Sequence, residues 1–250
     1  MTVPEVLEAT RIGLSLFVLL VSSYYDYKER RVSDTVFKFF MPTAAALTLI
    51  GIMLTADPFS QLATFILYVA ISVPVFYAAY YFGLFGGADA KMLIALSMAV
   101  PWPPRTVRPL LGMSFPVYSI SILDNTLLST VLTLPYALLS NILWKMEKKR
   151  SLFEGLEAAP RFRKIGALVF CVKKEKAEVK PYHTIAEEDG KILLFRKVQE
   201  EDLTPEEVEK LPQSVFVTFA VPMIIFITIG FLAAVFLGDL IVFLISLIMG

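Results

Sequence analysis

The chain of 250 residues contains one cysteine, Cys171, and one histidine, His183, and only 18% of its residues are charged. A single cysteine excludes an intrachain disulfide and any zinc centre built from several thiolates. No nucleophile-elbow motif is present and no histidine neighbours a serine or cysteine nucleophile, which argues against triad chemistry. His183 falls in a polar stretch and reads as a solvated or hydrogen-bonded side chain. Positive charge is not in excess either. The 23 basic residues balance 23 acidic ones, so the electrostatic footprint of a nucleic-acid-binding protein is missing. There is no internal repeat and no low-complexity tract. The first residues carry Glu5 and Glu8 rather than a basic region followed by a small-residue cleavage site, so the first apolar run is expected to remain as a membrane span.

What the chain has in abundance is apolar surface. It is 56% hydrophobic with a mean hydropathy of +0.67, too apolar for an ordinary soluble domain of this length. A spanning helix needs about 20 apolar residues, and six candidates stand near 5–26, 34–55, 61–82, 89–104, 124–144 and 214–237. The expected fold class is therefore an all-α polytopic membrane protein. The stretch 105–123 reads as interfacial, and the tail from Leu240 to Met249 as an extension of the sixth helix. Fifteen basic and 14 acidic residues lie between Lys145 and Gln213, which marks 145–212 as a water-facing insertion and leaves 1–144 and 213–250 as the transmembrane domain. The insertion is expected to be a small α+β unit. Apolar runs at Ile165–Val172 and Ile192–Val198 suggest strands, with a turn at Glu188, Asp189 and Gly190. Thr204, Pro205 and Glu207 carry a helix-start signature.

Lys28, Arg30 and Arg31 follow the first span, and Lys145, Lys148, Lys149 and Arg150 follow the fifth. Positively charged short loops face the cytoplasm, so the insertion is expected on the cytoplasmic side and both termini outside. Arg11 is then expected to snorkel outward from the first span.

Ionisable residues within a membrane domain are functional candidates by default. Asp26 ends the first span and Asp89 begins the fourth, and span parity places both on the cytoplasmic side. Two carboxylates that converge split their titrations, so that one is protonated while the other is ionised; such a pair activates a water and protonates a departing amine. Each is also an ordinary helix-end residue, for which capping is the competing reading. Asp34 and Asp124 read as N-caps of the second and fifth spans, and Asp239 as interfacial. Gly86 and Gly87 let the backbone approach a substrate strand closely. Lys91 either serves the pair's charge or a substrate carbonyl, or snorkels to the headgroups.

These residues resemble the type IV prepilin peptidase group of membrane aspartyl peptidases, in particular its archaeal preflagellin peptidase branch. One motif is Asp26 followed by Arg30 or Arg31, Val32 and Asp34. The other, Gly86, Gly87, Ala88, Asp89, Ala90, Lys91, is similar to the group's Gly-x-Gly-Asp motif and departs from it at Ala88, where many members have glycine. The resemblance implies Asp26 and Asp89 as the catalytic pair, with Gly86, Gly87, Ala88 and Lys91 around the substrate. It implies leader-peptide removal from preflagellin- or prepilin-like precursors at the lipid bilayer. Many bacterial members carry Cys-x-x-Cys pairs and methylate the new terminus; lacking those cysteines, this chain is expected to need no zinc and no S-adenosylmethionine. Two rival readings are a presenilin-like or signal-peptide-peptidase-like protease, whose aspartates lie deeper in the bilayer, and a proton-coupled transporter.

Overall fold

The computed structural model describes residues 2–83, 85–188, 190–194, 203–218 and 222–249. In chain order the elements are α1 (Val3–Glu29), α2 (Asp34–Met53), α3 (Pro58–Tyr81), α4 (Gly87–Ala99), α5 (Tyr118–Thr130), α6 (Thr133–Lys148), α7 (Arg161–Phe170), β1 (Cys171–Glu175), β2 (Thr184–Ile185), β3 (Glu187–Glu188), β4 (Lys191–Ile192), α8 (Pro205–Glu209), β5 (Ser214–Thr218), α9 (Met223–Phe236) and α10 (Leu240–Met249). They form two compact units, residues 1–129 with 222–250, and residues 130–221.

Among the described residues, four helical stretches are long and apolar enough to cross a membrane: Val3–Glu29, Asp34–Met53, Pro58–Tyr81 and Tyr118–Lys148. A fifth is possible if α9 and α10, bent by 58° at their break, count as one span. The protein is a mostly helical, multi-pass membrane protein. Six spans were expected; that count is not confirmed, and the fourth segment is not a helix of spanning length. That segment forms α4, whose 13 residues reach only about 20 Å at 1.5 Å per residue. The prolines at 101, 103 and 104 prevent its continuation. Met92, Leu93, Ala95 and Leu96 are fully enclosed, so α4 is apolar on every side because protein surrounds it. Its neighbours include Leu19 of α1, Phe37, Phe40 and Ala44 of α2, Phe76 of α3, and Ile227 and Phe231 of α9.

The inward face of α1 is polar. Glu8, Arg11, Ser15, Leu19 and Ser22 are buried at helical spacing, whereas Phe17, Leu20 and Tyr24 are exposed. In an apolar solvent the lipid takes the hydrophobic face, and polar groups turn toward protein partners. Arg11 consequently does not snorkel. Its guanidinium donates to Thr48 Oγ1 at 2.9 Å, and the Thr48 hydroxyl donates to the Met98 carbonyl at 2.7 Å. Glu8 accepts the backbone N–H groups of Arg105 and Thr106.

Three aspartate assignments also change. Ser33, not Asp34, caps α2 through its side chain. Asp124 lies inside α5, where the Asp239 carboxylate acts on it electrostatically. Asp239 is completely buried rather than interfacial. Its Oδ1 accepts the N–H groups of Ile241 and Val242, and its Oδ2 accepts the Ser121 hydroxyl, which satisfies the exposed donors at the start of α10.

In the second unit, β5 is the centre of an antiparallel sheet of order β1, β5, β2, with Lys173 paired to Phe216 and Ile185 to Val217. The segment 214–218 was expected to open the last span. Val215 and Val217 face one cluster and Phe216 the other. A strand covered on both faces is apolar throughout, and periodicity does not separate it from a membrane helix. The run Ile165–Val172 was expected as a strand, but it is helical to Phe170, and only Cys171 and Val172 enter β1. Asn141 of α6 decides that junction. Its amide donates to the carbonyls of Leu168 and Cys171, and its carbonyl accepts the Lys173 N–H. β3 and β4 pair across Gly190, whose φ of 71° suits a residue without Cβ. Residues 195–198 of the other expected strand lie outside the described residues. Thr204 caps α8 in a reciprocal box with Glu207, and the His183 ring accepts the Lys180 N–H.

One ion pair is buried in this unit. Lys173 Nζ lies 3.4 Å from Glu187 and 4.6 Å from the centre of the Phe216 ring, with side-chain exposures of 1% for Lys173 and 10% for Glu187. Burial pushes the lysine down and the carboxyl up, and the attraction of the pair opposes both shifts. Removing one member leaves the other charge dry and unpaired. Lys173→Ala is expected to destabilise the protein by about 3 kcal/mol, and Lys173→Met combined with Glu187→Gln by clearly less than the sum of its parts. Thermal unfolding in detergent, followed by circular dichroism, measures both, and strict additivity would show that the pair carries no coupling.

Candidate active site

The polar stripe of α1, residues 8, 11, 15, 19 and 22, reaches Asp26 at its next step. The helix ends one turn later. Arg30 adopts a left-handed conformation with φ 55° and donates its N–H to the Asp26 carbonyl at 3.1 Å. Its guanidinium acts electrostatically on the Asp26 carboxylate. Asp26 is partly buried, and its Oδ2 accepts the Ile224 N–H at 3.1 Å. That donor is in the first turn of α9, where N–H groups have no partner within the helix and the helix dipole favours negative charge.

Asp89 stands in the first turn of α4 and is 8% exposed. Its Oδ2 accepts the Gly86 N–H at 2.9 Å, the arrangement of a carboxylate that reaches back over its own helix start. The Asp26 charge acts across space on the Asp89 carboxyl. Two carboxyl groups 63 positions apart in the chain thus stand within electrostatic reach of each other, one at the end of α1 and one at the beginning of α4, each held by a backbone donor.

The remaining expected positions are close by, each with a distinct role. A Cβ at Gly86 would stand 2.9 Å from Asp89 Oδ2, whereas one at Gly87 would meet only the Tyr80 ring at 3.5 Å. Ala88 is partly buried against the core of the first unit. Lys91 forms an ion pair with Asp34 at 2.5 Å and lies over the Phe37 ring. Asp34 and Lys91 come from different motifs, so this exposed bridge joins them. Sequence reasoning missed the Ile224 N–H, since a backbone donor has no side-chain signature; Pro222 ahead of an apolar run is the one signal of a helix start there. Among the described residues no group of three or more His, Cys, Asp or Glu side chains converges. An ionised and a protonated carboxyl together can take a proton from water and give one to a leaving group.

Comparison with known proteins adds a family. The profile of the type IV leader peptidase family matches residues 13–138, which include both aspartates, and that of the archaeal peptidase A24 C-terminus type II matches residues 169–240. A preflagellin peptidase of Methanococcus maripaludis is 28% identical over 228 residues, covering 88% of this chain and 92% of that protein.

The glycine geometry separates stability from chemistry. In Gly86→Ala the new methyl meets only the end of the Asp89 side chain, which can rotate away, so folding is expected to change by no more than about 1 kcal/mol. The displaced carboxylate is expected to lose roughly a hundredfold in cleavage of a leader-bearing precursor. Gly87→Ala is expected to be near neutral for both. Melting temperatures and initial rates of the two purified variants check this, and equal activities would remove the steric role of Gly86.

Proposed function

Because the chain belongs to the type IV leader peptidase family, we propose that it is a membrane aspartyl endopeptidase that removes leader peptides from preflagellin- or prepilin-like precursors, with Asp26 and Asp89 as its catalytic pair. The observation that supports this reading is the placement of two backbone-held carboxyl groups, one from each motif, within electrostatic reach of each other.

The ionised member takes a proton from water as the oxygen attacks the scissile carbonyl carbon. The protonated member donates to the carbonyl oxygen to give a gem-diol. The proton gained from water then passes to the amine as the C–N bond breaks, and one gem-diol hydroxyl returns its proton to the carboxylate that donated, leaving a carboxylic acid and the restored pair. The two titrate as a unit, so base and acid are roles of the pair rather than labels of either residue. Gly86 leaves the Asp89 carboxylate its space, and the Asp34–Lys91 bridge ties the start of α2 to that of α4. No metal, no zinc-bound water and no methyl donor is assigned a step.

In this reading the pair works at the cytoplasmic face, where Lys28, Arg30 and Arg31 anchor the end of α1 near headgroup depth. The precursor presents an extended segment there, ahead of its own apolar helix.

Asp26→Asn and Asp89→Asn are each expected to lower turnover by roughly 10²- to 10⁴-fold, and the double variant to be scarcely worse than either, since members of one catalytic unit are non-additive. Asp57→Asn, at the exposed cap of α3, is expected to retain full activity. The wild type should give a bell-shaped pH–rate profile. Normal cleavage by either single variant at wild-type abundance would reject the pair and favour the transporter reading. Proteolysis of sealed right-side-out vesicles tests the sidedness. Residues 145–212 are expected to be protected until the membrane is opened, and their digestion in intact vesicles would invert the orientation.

A further inference from the structure

The contact between α1 and α9 contains more than the bond at Asp26. One turn away, Ser23 Oγ and Thr228 Oγ1 are 2.8 Å apart. Thr228 Oγ1 also lies 2.8 Å from the Ile224 carbonyl, to which it donates. A hydroxyl has one proton and two acceptor positions. The Thr228 proton is taken by Ile224, so Ser23 is the donor of the interhelical bond. The polarity of the whole arrangement follows. The Ser23 hydroxyl donates to Thr228, Thr228 donates to the Ile224 carbonyl, and the Ile224 N–H donates to Asp26 Oδ2.

The spacing makes this a closed ring. Ser23 and Asp26 are three apart on α1, and Ile224 and Thr228 are four apart on α9, so each pair occupies one helix face. Thr228 is 6% exposed and Ile224 fully buried. On its other side α9 has no room to slide. A Cβ at Gly230 would stand 2.3 Å from Thr126 Oγ1 and 2.7 Å from the Ile122 carbonyl of α5. Helix α9 is thus seated against α5 by glycine and registered on α1 by two hydroxyls.

We propose that Ser23 and Thr228 are positioning residues for the reaction: they fix the register of α9 on α1 so that its first-turn N–H holds the Asp26 carboxylate. The inference rests on the reading of Asp26 as catalytic. Neither hydroxyl touches the reacting atoms, and their effect passes through Ile224. A register error of one residue along α9 moves its N–H by about 1.5 Å, enough to lose a directional bond. Loss of this bond leaves substrate binding intact and misplaces one carboxylate during chemistry.

The experiment compares full-length variants on a synthetic preflagellin-type leader peptide in detergent micelles. Thr228→Val, which keeps shape and removes the hydroxyl, is expected to lower kcat about fivefold to tenfold with KM within about twofold. Ser23→Ala is expected to do the same. Thr228→Ser restores the rate, and Ser23→Ala with Thr228→Val is no worse than either alone. Melting temperatures accompany every variant, and if Thr228→Val does not fold, Ser23→Ala at its partly exposed site carries the test. Wild-type kcat in Thr228→Val and Ser23→Ala, beside an inactive Asp26→Asn, overturns the positioning role alone. Equal losses in Thr228→Val and Thr228→Ser, or a rise in KM at unchanged kcat, overturn it in favour of packing or substrate contact. Full activity of Asp26→Asn removes the catalytic reading and this inference with it.

Discussion

The hydrogen bond from the Ile224 N–H to the Asp26 carboxylate joins residues 198 positions apart, and the architecture of the first unit is arranged around it. A carboxylate at the end of a membrane helix has no surrounding water to solvate it on its inner side, so protein dipoles must do so. The start of a helix is the densest source of unpaired N–H groups available without a compensating charge. That requirement explains why α9 must begin where α1 ends, and why a polar stripe, rather than an apolar one, marks the inward face of α1. The same solution appears at Asp89, held by the Gly86 N–H at the start of α4, and at Asp239, which caps α10.

Around these caps the apolar core does the opposite work of fixing helix positions. The middle of the short α4 is enclosed, which limits how far its first turn, and with it Asp89, can drift. Close-packed interiors transmit small displacements rather than absorbing them. Glycine appears where a carboxylate or a helix needs the space: Gly86 leaves room for Asp89, and Gly230 lets α9 approach α5. The exposed Asp34–Lys91 bridge contributes little stability, as solvated pairs do. Its consequence is geometric, since it links the two segments that carry the family's motifs.

The second unit is held together differently. Its residues are charged and its sheet is small, yet it encloses Lys173 and Glu187 between the strands and the Phe216 ring. The ammonium is held by a carboxylate and an aromatic face together, which offsets the loss of water on both. Asn141 satisfies three backbone groups where α7 passes into β1.

Membrane class and family were legible in the chain, and the two aspartates stood out as candidates, because each depends on composition or on side chains at short spacing. Apolar runs exceed what a soluble domain tolerates, and both motifs are contiguous. The stripe at residues 8, 11, 15, 19, 22 and 26 was not read from the sequence, and Arg11 was assigned outward because a lone cation near a span end normally finds headgroups. What only the tertiary structure decided were the fates of apolar segments and the partners of the polar ones. Residues 89–99 and 214–218 are as hydrophobic as a span. One is a core helix and the other a central strand, since protein covers them as completely as lipid would. Asp239 found the Ser121 hydroxyl and the first N–H groups of α10 instead of water, and Asp26 found a backbone N–H that every residue but proline possesses. Periodicity records which face of a segment is apolar. It does not record what stands opposite, and in a protein whose solvent is itself apolar, that is settled by packing alone.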